Sequence, residues 1–305
     1  MRKETNGHIR NQRRKRARRR QGIKLAVLAI IIICGINFIT HALRTSRTDG
    51  RSMIWAGVER QGNADGRKNI SLKAPIALDS NEIKTTINKM AEKDREYKEI
   101  CENYDAYPEE LLAALCNNPE MLSFVQEYPY SAPTASGGFT DEELEGDFVL
   151  LNQWDKRWGY VPYGNSCIAL SGCAPTCISM VSLALRGDSG VTPDVVAEYA
   201  ENNGYYKPGT GTAWSLMTEG CRQFGIQGMQ IGLDRDVLFQ HLNNGEPVIC
   251  SMRPGDFTTQ GHFIVLTAVV DGKIAVCDPN SIARSQVLWD WNVLEPQIKN
   301  LWAFS

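Results

Sequence analysis

Hydrophobic and polar residues alternate differently in successive parts of the chain. Leu25 to Leu43 carry no charge and are mostly apolar, with Ile30 to Ile33 at the centre and Asn37, Thr40 and His41 toward the far end. A helix rising about 1.5 Å per residue over 25–43 would cover close to the ~30 Å hydrocarbon layer of a bilayer, so one transmembrane helix is predicted. A cleaved signal peptide is the rival reading, but its apolar part is usually shorter and ends in small residues. Residues 44–79 are polar, dotted with glycine and without a sustained period, as a tether would be.

From residue 80 the period becomes helical. Ile83, Ile87, Met90, Tyr97 and Cys101 recur on one face, with Asp79 and Glu82 spaced as a capping box, predicting a helix over about 80–102. Pro108 opens a second helix containing Leu111, Leu112 and Leu115; Pro119 opens a third with Met121, Leu122, Phe124 and Val125. Residues 80–130 thus read as a small helical region, preferred as a spacer or extension packed on the next domain over an independent binding module. Residues 131–147, with Pro133, Gly137 and Gly138, read as a linker. Residues 148–305 mix both periods: an almost wholly apolar helix running from Cys173 to a stop at Gly187, and the apolar strands Phe263 to Val270 and Lys273 to Cys277 about Asp271-Gly272. Thr212 is placed to cap a helix over Trp214 to Phe224, and Asp234 to Asn244 form an amphipathic helix ended by Gly245. The fold class expected for 148–305 is α+β.

Charge changes this picture at the N-terminus. The whole chain sums to −2, but residues 1–24 hold eleven Lys or Arg against Glu4 alone, and the remaining 22 basic and 34 acidic residues leave −12. A basic block ahead of the span places the N-terminus in the cytoplasm and residues from Arg44 onward outside. Anionic lipid headgroups are adequate partners for 1–24, and the lack of aromatics there argues against nucleic acid. Pro208 to Trp214 are Gly-rich but carry no Lys for a phosphate, so no nucleotide loop is read there.

The chemistry concentrates at Cys173. Pro175 suits a first helical turn, so Cys173 falls at the start of its helix, where unpaired N–H groups and the helix dipole favour thiolate. Cys177, one turn further in, is expected to pack as an apolar residue. Only His241 and His262 follow the span, and His262, opening a buried strand, is the one that needs a polar partner. A strict two-residue loop at Asp271-Gly272 pairs strand residues whose numbers sum to 543 and puts His262 and Asp278 on opposite faces. A three-residue loop with Gly272 left-handed gives 542, sets Asp278 opposite Ile264 and brings it within side-chain reach of His262. The latter is the loop expected. Cys167, Cys173 and Cys177 lack the spacing of a structural zinc site, so neither metal nor cofactor is expected. Disulfide pairing stays open, with Cys101–Cys116 and Cys250–Cys277 as options.

Gln153-Trp154-Asp155 with Trp158, Gly172-Cys173-Ala174-Pro175-Thr176, Gly261-His262-Phe263-Ile264-Val265 and Asp278-Pro279-Asn280, in this order, resemble the cysteine peptidases related to the bacteriocin-processing, double-glycine peptidases. The resemblance covers about 148–300. It implies a papain-like fold with Cys173 as nucleophile, His262 as base, Asp278 as its orienter and Gln153 as oxyanion donor alongside the Cys173 backbone N–H. Ala174 departs from the usual glycine of that family. The expected protein is a single-pass, outward-facing cysteine peptidase of a bacterial cytoplasmic membrane, acting on peptides or proteins. A peptidoglycan amidase or endopeptidase and a silent surface-binding module of the same fold are the alternatives. One span and no phosphate-binding loop do not support leader removal during export.

Overall fold

The computed structural model describes residues 72–305; the predicted 25–43 span and the basic tail lie outside them. Among the described residues no helix is long and apolar enough to cross a membrane.

Local signals set the helical region. Helix α1 (Ser80–Lys93) starts at Asp79, whose side chain accepts from the Glu82 N–H while the Glu82 carboxylate returns to the Asp79 N–H. Helix α2 (Glu109–Asn117) follows Pro108, and α3 (Leu122–Glu127) follows a 3-10 turn begun by Pro119. The predicted 80–102 helix is in fact broken at Asp94, which takes an extended backbone, and its side chain accepts from the Glu96 N–H to start a new turn. Asp side chains compete with helical hydrogen bonds in this way.

These helices share a core with the residues after them. Ile87, Ile100, Leu111, Leu112, Leu115 and Val125 are fully buried in one cluster that also holds Tyr160, Cys167 and Ala169. Phe124 stacks on Tyr160 at 4.2 Å with rings 11° from parallel, and the Tyr160 hydroxyl donates to the Phe124 carbonyl at 3.0 Å. Phe124→Ala is therefore expected to destabilise the protein by about 3–5 kcal/mol. Urea unfolding followed by tryptophan fluorescence checks this, and a loss below about 1 kcal/mol would contradict the shared core. Between 131 and 147 a short helix, Asp141–Glu145, is capped by Thr140 and tied down by Arg157, whose guanidinium pairs with Glu143 and Asp155, each at 2.7 Å.

The remainder is a mixed α/β fold on a six-stranded sheet. In chain order its strands are β1 (Gly228–Ile231), β2 (Val248–Met252), β3 (His262–Val270), β4 (Lys273–Cys277), β5 (Leu288–Trp289) and β6 (Ile298–Phe304). They lie in the order β1-β6-β2-β3-β4-β5, every pair antiparallel. Side-chain alternation along β3 divides two cores. Phe263 and Val265 join the cluster built on helix α4 (Cys173–Arg186) with Ile178 and Val181, whereas Ile264 and Leu266 join that of helix α6 (Arg235–Asn243) with Leu238 and Leu242. Helix α5 (Pro193–Asn202) packs along α4. As read from sequence, α4 ends at Gly187, left-handed at φ 65°, and α6 begins at Asp234.

The hairpin between β3 and β4 corrects one expectation. Its loop has two residues, Asp271 and Gly272, both at positive φ (50° and 77°), and the adjoining pairs Val270–Lys273 and Val269–Ile274 sum to 543. Past Thr267 the register shifts, so that Leu266 faces Val276 and Val265 faces Cys277, which sum to 542. The needed offset comes from a β-bulge inside the strand, not from a longer turn. Thr212 also differs: its hydroxyl bonds the Tyr163 hydroxyl at 2.7 Å, and the helix Ser215–Thr218 starts without a side-chain cap. The eight described cysteines are all free thiols, so neither Cys101–Cys116 nor Cys250–Cys277 is bridged.

Candidate active site

Cys173 is the first residue of α4. It is half-buried, whereas Cys177 is fully buried, with its thiol pushed well above the ordinary range by burial. A tight bend precedes it: Gly172 closes the short helix Ile168–Ser171, its N–H bonding the Ile168 carbonyl at 2.8 Å. A Cβ on Gly172 would lie 2.6 Å from that carbonyl oxygen, so only glycine lets the chain turn here. Pro175 contributes no N–H and the Thr176 N–H is used by Gly172, leaving the N–H groups of Cys173 and Ala174 to carry the positive end of the helix.

His262 opens β3 opposite Met252 and is 7% exposed. Its Nε2 bonds Asp278 Oδ1 at 2.7 Å, which leaves Nδ1 for the Cys173 sulfur. Burial pulls the imidazole pKa down, but the charge and hydrogen bond of Asp278, and then the hydrogen bond and charge of Cys173, more than reverse this and raise it to about 10. The Asp278 carboxylate thus favours the charged form of the ring. His241, the other candidate, is engaged elsewhere, its Nδ1 at 2.5 Å from Glu246 on and beyond α6.

Asp278 follows β4 and is completely buried. Its Oδ1 also accepts from the Asn280 N–H at 2.8 Å, its Oδ2 lies 3.5 Å from Arg284 Nη1, and its own N–H donates to the Ser285 hydroxyl at 2.8 Å. A buried carboxylate thus meets two cations. The bulge at Thr267 brings His262 and Asp278 into reach of one another.

Gln153 is 4% exposed. Its N–H donates to the Pro279 carbonyl at 2.8 Å and its Nε2 to the Ala169 carbonyl at 2.7 Å, in the helix leading to Gly172. Its Oε1 has no partner within the described residues. Gln153 thereby joins the segment before Cys173 to the segment after Asp278. The structure brings Cys173, His262 and Asp278 together and links Gln153 to both sides. Sequence reasoning missed Arg284, whose buried cation faces Asp278; an arginine in a short helix after a turn carries no local sign of that role.

Residues 145–303 match the family model described as Peptidase_C39 like family, just over half of the chain. The chain belongs to that family. As its member it is a cysteine-type peptidase, a hydrolase of peptide or protein substrates. Among solved structures, the chain is similar to the peptidase domain of Streptococcus ComA, a bi-functional ABC transporter involved in a quorum-sensing pathway. That alignment is 16% identical, covers 52% of this chain and 96% of that one, and has a TM-score of 0.37. No curated protein matches the chain.

Proposed function

We propose that this cysteine peptidase has a papain-like catalytic layout, is tethered to a bacterial membrane by residues 25–43 and faces outward. Its catalytic residues are Cys173, His262 and Asp278. The observation that carries the reading is the buried His262, bonded to Asp278 at 2.7 Å and held as imidazolium by that carboxylate and the Cys173 sulfur. The Cys173 thiolate attacks the scissile carbonyl carbon, and the carbonyl electrons move to oxygen. The oxyanion is met by the Cys173 backbone N–H and by the Gln153 amide hydrogen not given to Ala169. The C–N bond breaks as His262 donates its proton to the leaving nitrogen, leaving a thioester. Neutral His262 then takes a proton from water as its oxygen attacks the thioester, releasing the acid and restoring the thiolate–imidazolium pair.

Alkylation tests this directly. Burial raises other thiols, the half-buried Cys116 to about 11, the buried Cys277 to about 12 and the buried Cys250 well above its ordinary value. Iodoacetamide at pH 7 is expected to modify Cys173 first, and His262→Ala to slow that reaction at least about tenfold. Peptide mapping by mass spectrometry reads the result, and modification concentrated on Cys167 or Cys221 refutes the assignment. Fluorogenic peptides and purified cell walls offered side by side separate peptide hydrolysis from peptidoglycan cleavage.

A further inference from the structure

The loop carrying Asp278 is held largely by residues far from it in sequence. Asn118 Nδ2 donates to the Asn280 carbonyl, which also receives Trp154 Nε1 at 3.0 Å. Glu120 takes two backbone N–H groups of the next turn, Ile282 on Oε2 at 2.9 Å and Ala283 on Oε1 at 2.8 Å. These begin the short helix α7 (Ile282–Ser285), which supplies both Ser285 and Arg284 to Asp278. Asn118 and Glu120 are fixed to each other, because Asn118 Oδ1 accepts from the Glu120 N–H at 3.1 Å. Arg284 Nη2 in turn reaches the Lys73 carbonyl at 3.4 Å, so the start of the described chain also touches this loop.

Covering the loop would require only apolar side chains. Glu120 is instead a half-buried carboxylate near a fully buried one, Asp278; partial burial raises its pKa, the Ile282 and Ala283 N–H groups act against that, and the Asp278 charge adds to it. Such an arrangement is costly unless its hydrogen bonds fix a geometry. Two directional bonds to consecutive N–H groups, with a third to the residue two before them, fix where residues 280–283 lie and so where the carboxylate at 278 lies.

We propose that Glu120, with Asn118, is a positioning residue of the peptidase: the helical region 80–130 completes the active site by setting the Asp278 carboxylate against the His262 ring. This rests on the triad reading above. Charged or titratable groups around the pair are Cys173 at His262, and Arg284, Glu120, Cys177 and Cys277 around Asp278.

The test uses the full chain, with iodoacetamide as the probe of Cys173 and nitrogen-15 NMR of labelled histidine as the probe of His262. Glu120→Gln keeps the volume but loses one acceptor oxygen. It is expected to slow Cys173 alkylation at pH 7 by about fivefold and to lower the titration midpoint of His262. Asn118→Ala, which removes the bond to the Asn280 carbonyl and the one from the Glu120 N–H, is expected to move both in the same direction by about twofold, and decides the matter alone if Glu120→Gln does not fold. Ile87→Val, buried in the same helical region but away from the loop, should leave both unchanged. Wild-type midpoint and rate in the Glu120 and Asn118 variants overturn the proposal. Failure of His262→Ala to slow alkylation in the parent chain sinks the triad reading itself, a separable outcome.

Discussion

Cys173→Ala is expected to lower peptide turnover by about 10⁴-fold or more, down to the background of the assay, with thermal stability almost unchanged. The size of the loss follows from the mechanism, since without the sulfur no acyl-enzyme forms and the rest of the site has no nucleophile to orient. The small structural cost follows from position. Residue 173 is the half-buried first residue of its helix, alanine is the best helix former, and the neighbour at 174 is already alanine. Turnover of a quenched fluorescent peptide, with a melting curve on the same sample, gives both numbers. Activity within tenfold of the parent in a folded variant contradicts the assignment.

Asp278→Asn is expected to reduce kcat by about 10²-fold and to move the alkaline limb of kcat/KM to lower pH. In the parent that limb is expected near pH 10, because Asp278 raises the pKa of the His262 ring. Removing the carboxylate charge leaves burial, which opposes the charged ring, so the imidazole pKa falls. The same group links pH to stability. Its folded-state pKa lies above the ordinary 6.5, so its contribution is complete below about 6.5 and disappears as pH rises through about 10. Asparagine also strands the buried Arg284 cation, which costs on the order of 3 kcal/mol. Rates and melting temperatures from pH 5 to 11 decide it. An unmoved alkaline limb shows that His262 does not take its charge from Asp278.

What could be read from sequence was local in origin. The Asp79–Glu82 capping box, the Gly187 stop and the start of α4 at Cys173 each depend on residues within a turn or two of one another. A histidine in an apolar strand needs a partner, which distinguishes His262 from His241 by sequence, and Asp278 is that partner. The offset that brings them together was correct in size and wrong in place. A two-residue turn at Asp271-Gly272 suits the strand twist, and the shift is made at Thr267, where a bulge depends on both neighbouring strands. Arg284, Asn118 and Glu120 were not legible as parts of the site. The Asn118 and Glu120 partners lie more than 160 residues away, and the local pattern shows only a helix start at Pro119.

The position of β6 carries a consequence for the order in which the molecule is made. This strand is the last of the six in sequence but second in the sheet, inserted between β1 and β2, which follow one another in the chain with α6 between them and are hydrogen-bonded to β6 rather than to each other. A ribosome delivers Cys173, His262 and Asp278 before it delivers Ile298, so the nascent chain emerges with its chemical groups present and its central platform divided in two. Closure waits on a pairing of large sequence separation, which is slow to nucleate. The sheet that carries His262 is thus completed only by its last-made strand.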